Sequence, residues 1–230
     1  GQLGNGSAQD SALPALVEGG AGWTAVSAGG NHTCGTKGSP GSDLYCWGAG
    51  SSGQLGKGPG PGGAPSDELT PRLVFSASEP VLVTTGYYHT CLQPASGGPR
   101  CAGDGGGGRL GYGGNSNRYE FTVANTPLAF SELTAGRAHT CGITAAGAAY
   151  CWGDGSSGQV GDGQSNGTNL VPVAVQGPAF TQVSAGAEHT CGVATDGKAY
   201  CWGRGQHGRL GTGGDANSVV PVPVVTAQAP

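Results

Sequence analysis

The sequence predicts an all-β chain, a β-propeller built from repeats of about 50 residues. Three observations predict it: a glycine content hostile to helices, landmarks that recur in fixed order, and short apolar runs bounded by turn residues. Glycine supplies 49 of the 230 residues, about three times the usual share, and each interior Gly costs a helix roughly 1 kcal/mol against Ala. No Gly recurs strictly at every third position, which excludes a collagen-like chain. With 36% hydrophobic and only 10% charged residues, the chain can still build a core, and charge-driven disorder is excluded.

The first landmark is His32-Thr33-Cys34, which returns as His89-Thr90-Cys91, His139-Thr140-Cys141 and His189-Thr190-Cys191. The second, Tyr45-Cys46-Trp47-Gly48, returns at Tyr150-Cys151-Trp152-Gly153 and Tyr200-Cys201-Trp202-Gly203. The third is Gly53-Gln54-Leu55-Gly56, with counterparts starting at Gly108, Gly158 and Gly208 and another at the start of the chain, Gly1-Gln2-Leu3-Gly4. Periods of this length indicate solenoids or propellers. The repeats are 1–52, 53–107, 108–157 and 158–207, four complete copies, with a partial fifth over 208–230.

Within the last full copy, Phe180 to Ala185 reads as a first strand and His189 to Thr195 as a second. Thr195-Asp196-Gly197-Lys198 makes the turn into a third, Ala199 to Trp202. Val219 to Val225 makes the fourth, whose Pro221 and Pro223 are tolerated only on an edge or blade rim. Four strands per unit describe a propeller blade.

The succession Ala-Gly-x-x-His-Thr-Cys-Gly, Tyr-Cys-Trp-Gly and Gly-Gln-Leu-Gly resembles the regulator of chromosome condensation repeat family, whose members form propellers, commonly of seven blades. Copy two departs from the pattern: Leu92 stands where Gly follows Cys elsewhere, Arg100 replaces Tyr and Ala102 replaces Trp. That copy is expected to be less well packed, or contacted by something else.

Each copy carries two Cys: Cys34 and Cys46, Cys91 and Cys101, Cys141 and Cys151, Cys191 and Cys201. Folding a hairpin about its turn sets the two opposite each other, at Cα distances a disulfide accepts. Four disulfides, one per blade, are expected. A metal reading competes, because His32 and Cys34 are two apart on a strand and share a face. Zinc sites are usually four-coordinate, and no fourth ligand recurs, so neither metal nor cofactor is expected. The repeated His is instead expected to satisfy buried backbone groups between blades.

No catalytic site is expected. The acidic residues lie mostly in turns, no pair recurs at a position suited to acid–base work, and no Gly-x-Ser-x-Gly elbow occurs. Gly103 to Gly108 lacks the Gly-Lys-Ser/Thr ending of a phosphate loop. The net charge of −4 and the absence of a Lys/Arg cluster exclude nucleic acid as a partner. No apolar run reaches membrane-spanning length. Eight Cys, no Met and short polar loops point to an oxidising, extracellular or cell-surface setting. There Asn5 and Asn166, both in Asn-Gly-Ser/Thr sequons, are candidate glycan acceptors.

Residues 208–225 align with residues 1–17, so the two ends duplicate rather than complement each other, and a larger or oligomeric assembly is expected. The function expected is a non-catalytic structural or protein-interaction module, self-assembling into a fibre or coat or binding a protein partner. The resemblance implies an alternative, a regulator of an enzyme. Some relatives are nucleotide-exchange factors for small GTPases, whose reducing compartment would not keep disulfides; others look like secreted enzyme inhibitors. An inhibitor needs aromatic anchors on one face, and Tyr87, Tyr88, Tyr112 and Tyr119 in copy two are the candidates.

Overall fold

The computed structural model describes residues 1–38, 42–59, 65–79, 81–165 and 167–225. Among these residues, sixteen strands form four antiparallel sheets of four, each in simple sequential order. The first blade is β1 (Trp23–Ala28), β2 (His32–Lys37), β3 (Asp43–Gly48) and β4 (Glu68–Ser76). The second is β5 (Val81–Thr85), β6 (His89–Pro94), β7 (Arg100–Gly103) and β8 (Arg118–Val123). The third is β9 (Glu132–Ala135), β10 (His139–Ile143), β11 (Ala149–Asp154) and β12 (Thr168–Ala174). The fourth is β13 (Phe180–Ala185), β14 (His189–Ala194), β15 (Ala199–Gly203) and β16 (Ser218–Pro223). Each blade therefore takes its outer strand from beyond the third landmark, and Pro71, Pro172 and Pro221 all fall in outer strands, where no neighbour needs their missing N–H.

First strands β1, β5, β9 and β13 neighbour one another along the inner side of the array. Ser27 Oγ meets Thr85 Oγ1 at 2.8 Å, and the Ala135 and Ala185 amides donate to Thr84 Oγ1 and Thr134 Oγ1, each at 3.0 Å. The second and third strands meet in register, so each Cys of a hairpin faces its partner directly. All four expected disulfides are present, Cys34–Cys46, Cys91–Cys101, Cys141–Cys151 and Cys191–Cys201, with Cα separations of 4.0–4.1 Å.

Three blades are filled by an aromatic set: Trp23, Tyr45 and Trp47; Phe130, Tyr150 and Trp152; Phe180, Tyr200 and Trp202. The closing Gly of the preceding landmark lies against each indole. A Cβ on Gly4, Gly111 or Gly161 would fall 2.6–2.8 Å from the indole nitrogen of Trp47, Trp152 or Trp202. All three glycines have positive φ (66°, 72° and 78°), so shape and backbone both demand Gly.

The second blade is as tightly packed as its neighbours, contrary to the expectation from its departures. Leu92 is fully buried, and every residue of β6 is buried. Leu92 fills space that the Gly at this position leaves to an aromatic ring elsewhere. Phe121 on β8 replaces the missing indole, with its ring 2.3 Å from where a Cβ on Gly56 would stand. The aromatic has moved to the outer strand; the volume is conserved.

Candidate functional site: the inter-blade clamp and the axial face

His32 Nε2 lies 2.7 Å from Thr90 Oγ1, His89 Nε2 lies 2.9 Å from Thr140 Oγ1, and His139 Nε2 lies 2.9 Å from Thr190 Oγ1. Each Thr hydroxyl in turn donates to a landmark carbonyl, that of Gln54, Arg109 or Gln159, at 2.6–2.9 Å. Since the hydroxyl has one hydrogen and spends it on the carbonyl, the ring must donate from Nε2–H. The clamp therefore runs from the His of one blade, through the Thr of the next, to a carbonyl of the landmark between them. Nδ1 of each His is buried without a partner. Burial pushes His32 and His139 down to about 4. His89 is pushed down as well, by burial first and then by Arg109. These rings bridge blades as buried, neutral groups, but each meets a Thr hydroxyl and not the backbone group expected from the repeat pattern.

The clamp fixes the turns between first and second strands. Ala28–Gly30, Thr85–Tyr87, Ala135–Arg137 and Ala185–Ala187 together enclose a depression of about 300 Å³ on one face of the array. Gly30 N–H donates to Gly86 carbonyl and Tyr87 N–H to Gly136 carbonyl, so adjacent turns are tied backbone to backbone. Most of the rim is Gly and Ala. Tyr87 lines it and packs against Tyr88; the two are 42% and 37% exposed, with ring centroids 4.6 Å apart at 80°. The Arg137 guanidinium lies 5.9 Å from the Tyr87 ring, and Glu188 accepts from Arg204 and stands 3.9 Å from Arg137. The outcome is an aromatic pair beside a charge-paired arc.

Of the four candidate tyrosines, only Tyr87 and Tyr88 are brought together. Tyr112 is half-buried and held within its own loop, its hydroxyl bonded to Ser116 N–H and carbonyl, with Arg118 stacked 4.1 Å from the ring. Tyr119 lies on β8 against Gly53. Asn5 is half-buried and accepts from Ser7 N–H; Asn166 lies outside the described residues. Arg137, Glu188 and Arg204 were not singled out from sequence. The signal was present, because Arg137 and Glu188 occupy the two free positions of Ala-Gly-x-x-His-Thr-Cys that hold Tyr87 and Tyr88 in copy two.

Family models for the regulator of chromosome condensation (RCC1) repeat match residues 1–35, 42–93, 146–193 and 196–229, and a second such model matches 130–159 and 180–209. The chain belongs to the RCC1 repeat family. Among solved structures, yeast RCC1 (Prp20) bound to Kap60 superposes with a TM-score of 0.77 at 20% identity, over 89% of this chain and 49% of that one. Human WBSCR16 matches with a TM-score of 0.77 at 19% identity, over 87% and 51%. The ectodomain of the Physcomitrella patens receptor kinase CR4 matches with a TM-score of 0.51 at 26% identity, over 79% and 40%. This RCC1-repeat chain spans about half the length of the first two structures. No curated protein matches it in sequence. Among the described residues no helix is long and apolar enough to cross a membrane.

Proposed function

We propose that this chain is a non-catalytic, extracellular protein-interaction module that engages a protein partner at its axial face, with Tyr87 and Tyr88 as anchors. The single observation that carries this reading is the exposed Tyr87–Tyr88 pair, whose Tyr87 stands on a rim otherwise made of Gly, Ala and Thr apart from Arg137. Aromatic residues on rigid supports, ringed by polar groups, are the usual energetic centres of protein interfaces. Four hairpin disulfides support the compartment, since such bonds do not persist in a reducing cell interior. The likeness to a receptor ectodomain points the same way. Nucleotide exchange on a small GTPase is disfavoured by that chemistry. Glycans at Asn5 and Asn166 belong to the same reading.

The test is binding of the secreted, disulfide-intact chain to intact cells and secreted hydrolases, compared across tyrosine variants. Tyr87→Ala with Tyr88→Ala should weaken any specific binding at least tenfold, whereas Tyr112→Ala or Tyr119→Ala should leave it within twofold. Equal losses at the outer tyrosines, or none at the axial pair, would refute the assignment. Inhibition of a hydrolase that vanishes with the axial pair would identify the partner as an enzyme. An intact mass without added sugar would remove the glycan part.

A further inference from the structure

We propose that the groove between the first and second blades binds one oxyanion, a sulfate, phosphate or carboxylate group, free or carried on a larger ligand, with Arg72 and Arg100 as its donors. The groove has a volume of about 330 Å³, and Lys57, Arg72, Phe75, Arg100, Glu120 and Phe121 line it. That volume stands at the small end of ligand sites, the size for a single group. The three cations are dispersed in sequence and converge only through the fold. Arg72 sits on β4 of the first blade and Arg100 on β7 of the second. Lys57 follows the landmark between them, which is stitched to β8: Lys57 bridges Glu120, and Gly58 N–H donates to the Tyr119 carbonyl at 2.7 Å.

None of these cations belongs to the repeat. Arg72 pairs opposite Cys46, where the other blades set Thr122, Val173 and Val222 opposite Cys101, Cys151 and Cys201. Arg100 stands where the other blades carry Tyr45, Tyr150 and Tyr200. Lys57 follows the closing Gly of its landmark, where Tyr112, Asp162 and Thr212 follow theirs. The blade is built elsewhere without positive charge at any of the three positions, so the fold does not call for it here.

The charge is also left unanswered. Lys57 is ion-paired with Glu68 and donates to Ser66 Oγ at 2.8 Å. Neither Arg72 nor Arg100 reaches a carboxylate among the described residues, and the remaining residues of the chain, 39–41, 60–64, 80, 166 and 226–230, include no Asp or Glu. Arg100 Nε is buried without a hydrogen-bond partner, the kind of group whose presence asks for an explanation. The Arg100 guanidinium is held instead by the Phe75 ring, with Cζ 5.6 Å from the ring centroid. Stacking of this kind fixes the plane of the guanidinium while its N–H groups stay available, and such forks match the paired oxygens of an oxyanion. Glu120 is the one carboxylate in the lining and opposes the charge without cancelling it. Two guanidiniums cover one anionic group, not the run of phosphates that a nucleic acid presents.

Isothermal titration calorimetry of the intact chain with sodium sulfate, against sodium chloride at equal ionic strength, tests this. Sulfate should bind saturably where chloride does not. Arg100→Gln should weaken binding about tenfold, the loss of a charge-assisted hydrogen bond. The solvent-exposed Arg72→Gln should weaken it about threefold, and Glu120→Gln, which removes the opposing charge, should tighten it about threefold. Arg72 and Glu120 are exposed, so these two variants keep the test valid should Arg100→Gln fail to fold. Phenyl sulfate distinguishes the sources: affinity equal to sulfate assigns the site to a free anion, and tighter uptake assigns it to a group on a larger ligand. Either result supports the site. Absence of saturable binding by both probes, or binding that neither Arg72→Gln nor Glu120→Gln changes, would overturn it. The groove shares no residue with the axial depression, so failure here leaves the Tyr87–Tyr88 reading untouched.

Discussion

Acidification should unfold this chain through its clamps before its carboxylates are titrated. His32 and His139 are 1% and 0% exposed, and burial holds both near 4 against an ordinary 6.5. Protonation would place an N–H at Nδ1, where nothing accepts it. The unfolded chain therefore binds these protons first as pH falls. Stability is fully present above about 6.5 and lost progressively down to about 4, by up to ~1.4 kcal/mol per pH unit per ring. Two rings over the two units between 6.5 and 4.5 remove about 5 kcal/mol, comparable to the whole stability of a small domain. His89 is displaced in the same direction. Urea unfolding followed by tryptophan fluorescence at half-unit steps from pH 7 to 4.5 measures the slope, and a His32→Gln, His139→Gln variant should be both less stable at pH 7 and flatter in its pH dependence. A stability constant over that window, or an undiminished slope in the variant, would refute the neutral-clamp account.

Three further perturbations probe the same construction. Cys141→Ala with Cys151→Ala removes a crosslink spanning 10 residues and should lower urea-derived stability by about 2–3 kcal/mol, the chain-entropy value for so short a loop. Thr140→Val strands the His89 Nε2–H and the Arg109 carbonyl; it should cost about 2–4 kcal/mol by the same assay, while Thr140→Ser should recover most of the loss. Gly111→Ala, at φ 72° with a Cβ 2.8 Å from Trp152 Nε1, should lower the thermal midpoint by more than 5 °C. Gly97→Ala, at φ 91° in open space, should show only the smaller left-handed backbone penalty.

The architecture was legible because repetition turns local spacing into three-dimensional register. Cys191 and Cys201 flank a turn centred on Asp196, and a hairpin folded there can set them nowhere but opposite each other. The partner of His32 was not legible, since Thr90 lies 58 residues away on another blade and only the angle between blades decides which hydroxyl it meets. Copy two misled for a related reason. Its losses at Arg100 and Ala102 are visible in its own strands, but its compensation comes from Phe121 on the outer strand, beyond the motif. Tyr112 and Tyr119 were grouped with Tyr87 and Tyr88 by sequence proximity. Strand β8 carries Tyr119 to the far side of the blade from the inner turns.

Those same constraints decide where this repeat can carry specificity. In Ala-Gly-x-x-His-Thr-Cys-Gly, Gly29, Gly86 and Gly136 each stand where a Cβ would fall 2.3–2.5 Å from the next blade's turn carbonyl or their own His ring. The His, Thr and Cys are committed to clamp and crosslink. The two intervening positions carry neither clamp nor crosslink, and they alone differ in every copy: Gly30-Asn31, Tyr87-Tyr88, Arg137-Ala138 and Ala187-Glu188. Backbone ties link the first three turns, and the leading residue of each pair, Gly30, Tyr87, Arg137 and Ala187, lines one depression. A scaffold built this way can change its partner by exchanging pairs of residues there while leaving the clamps intact. Moving Tyr-Tyr from 87–88 to 137–138 should therefore preserve the urea midpoint and shift the bound partner's position around the rim by one blade, a change readable by site-specific cross-linking. A collapse of stability in that exchange would mean that the two free positions also support the fold.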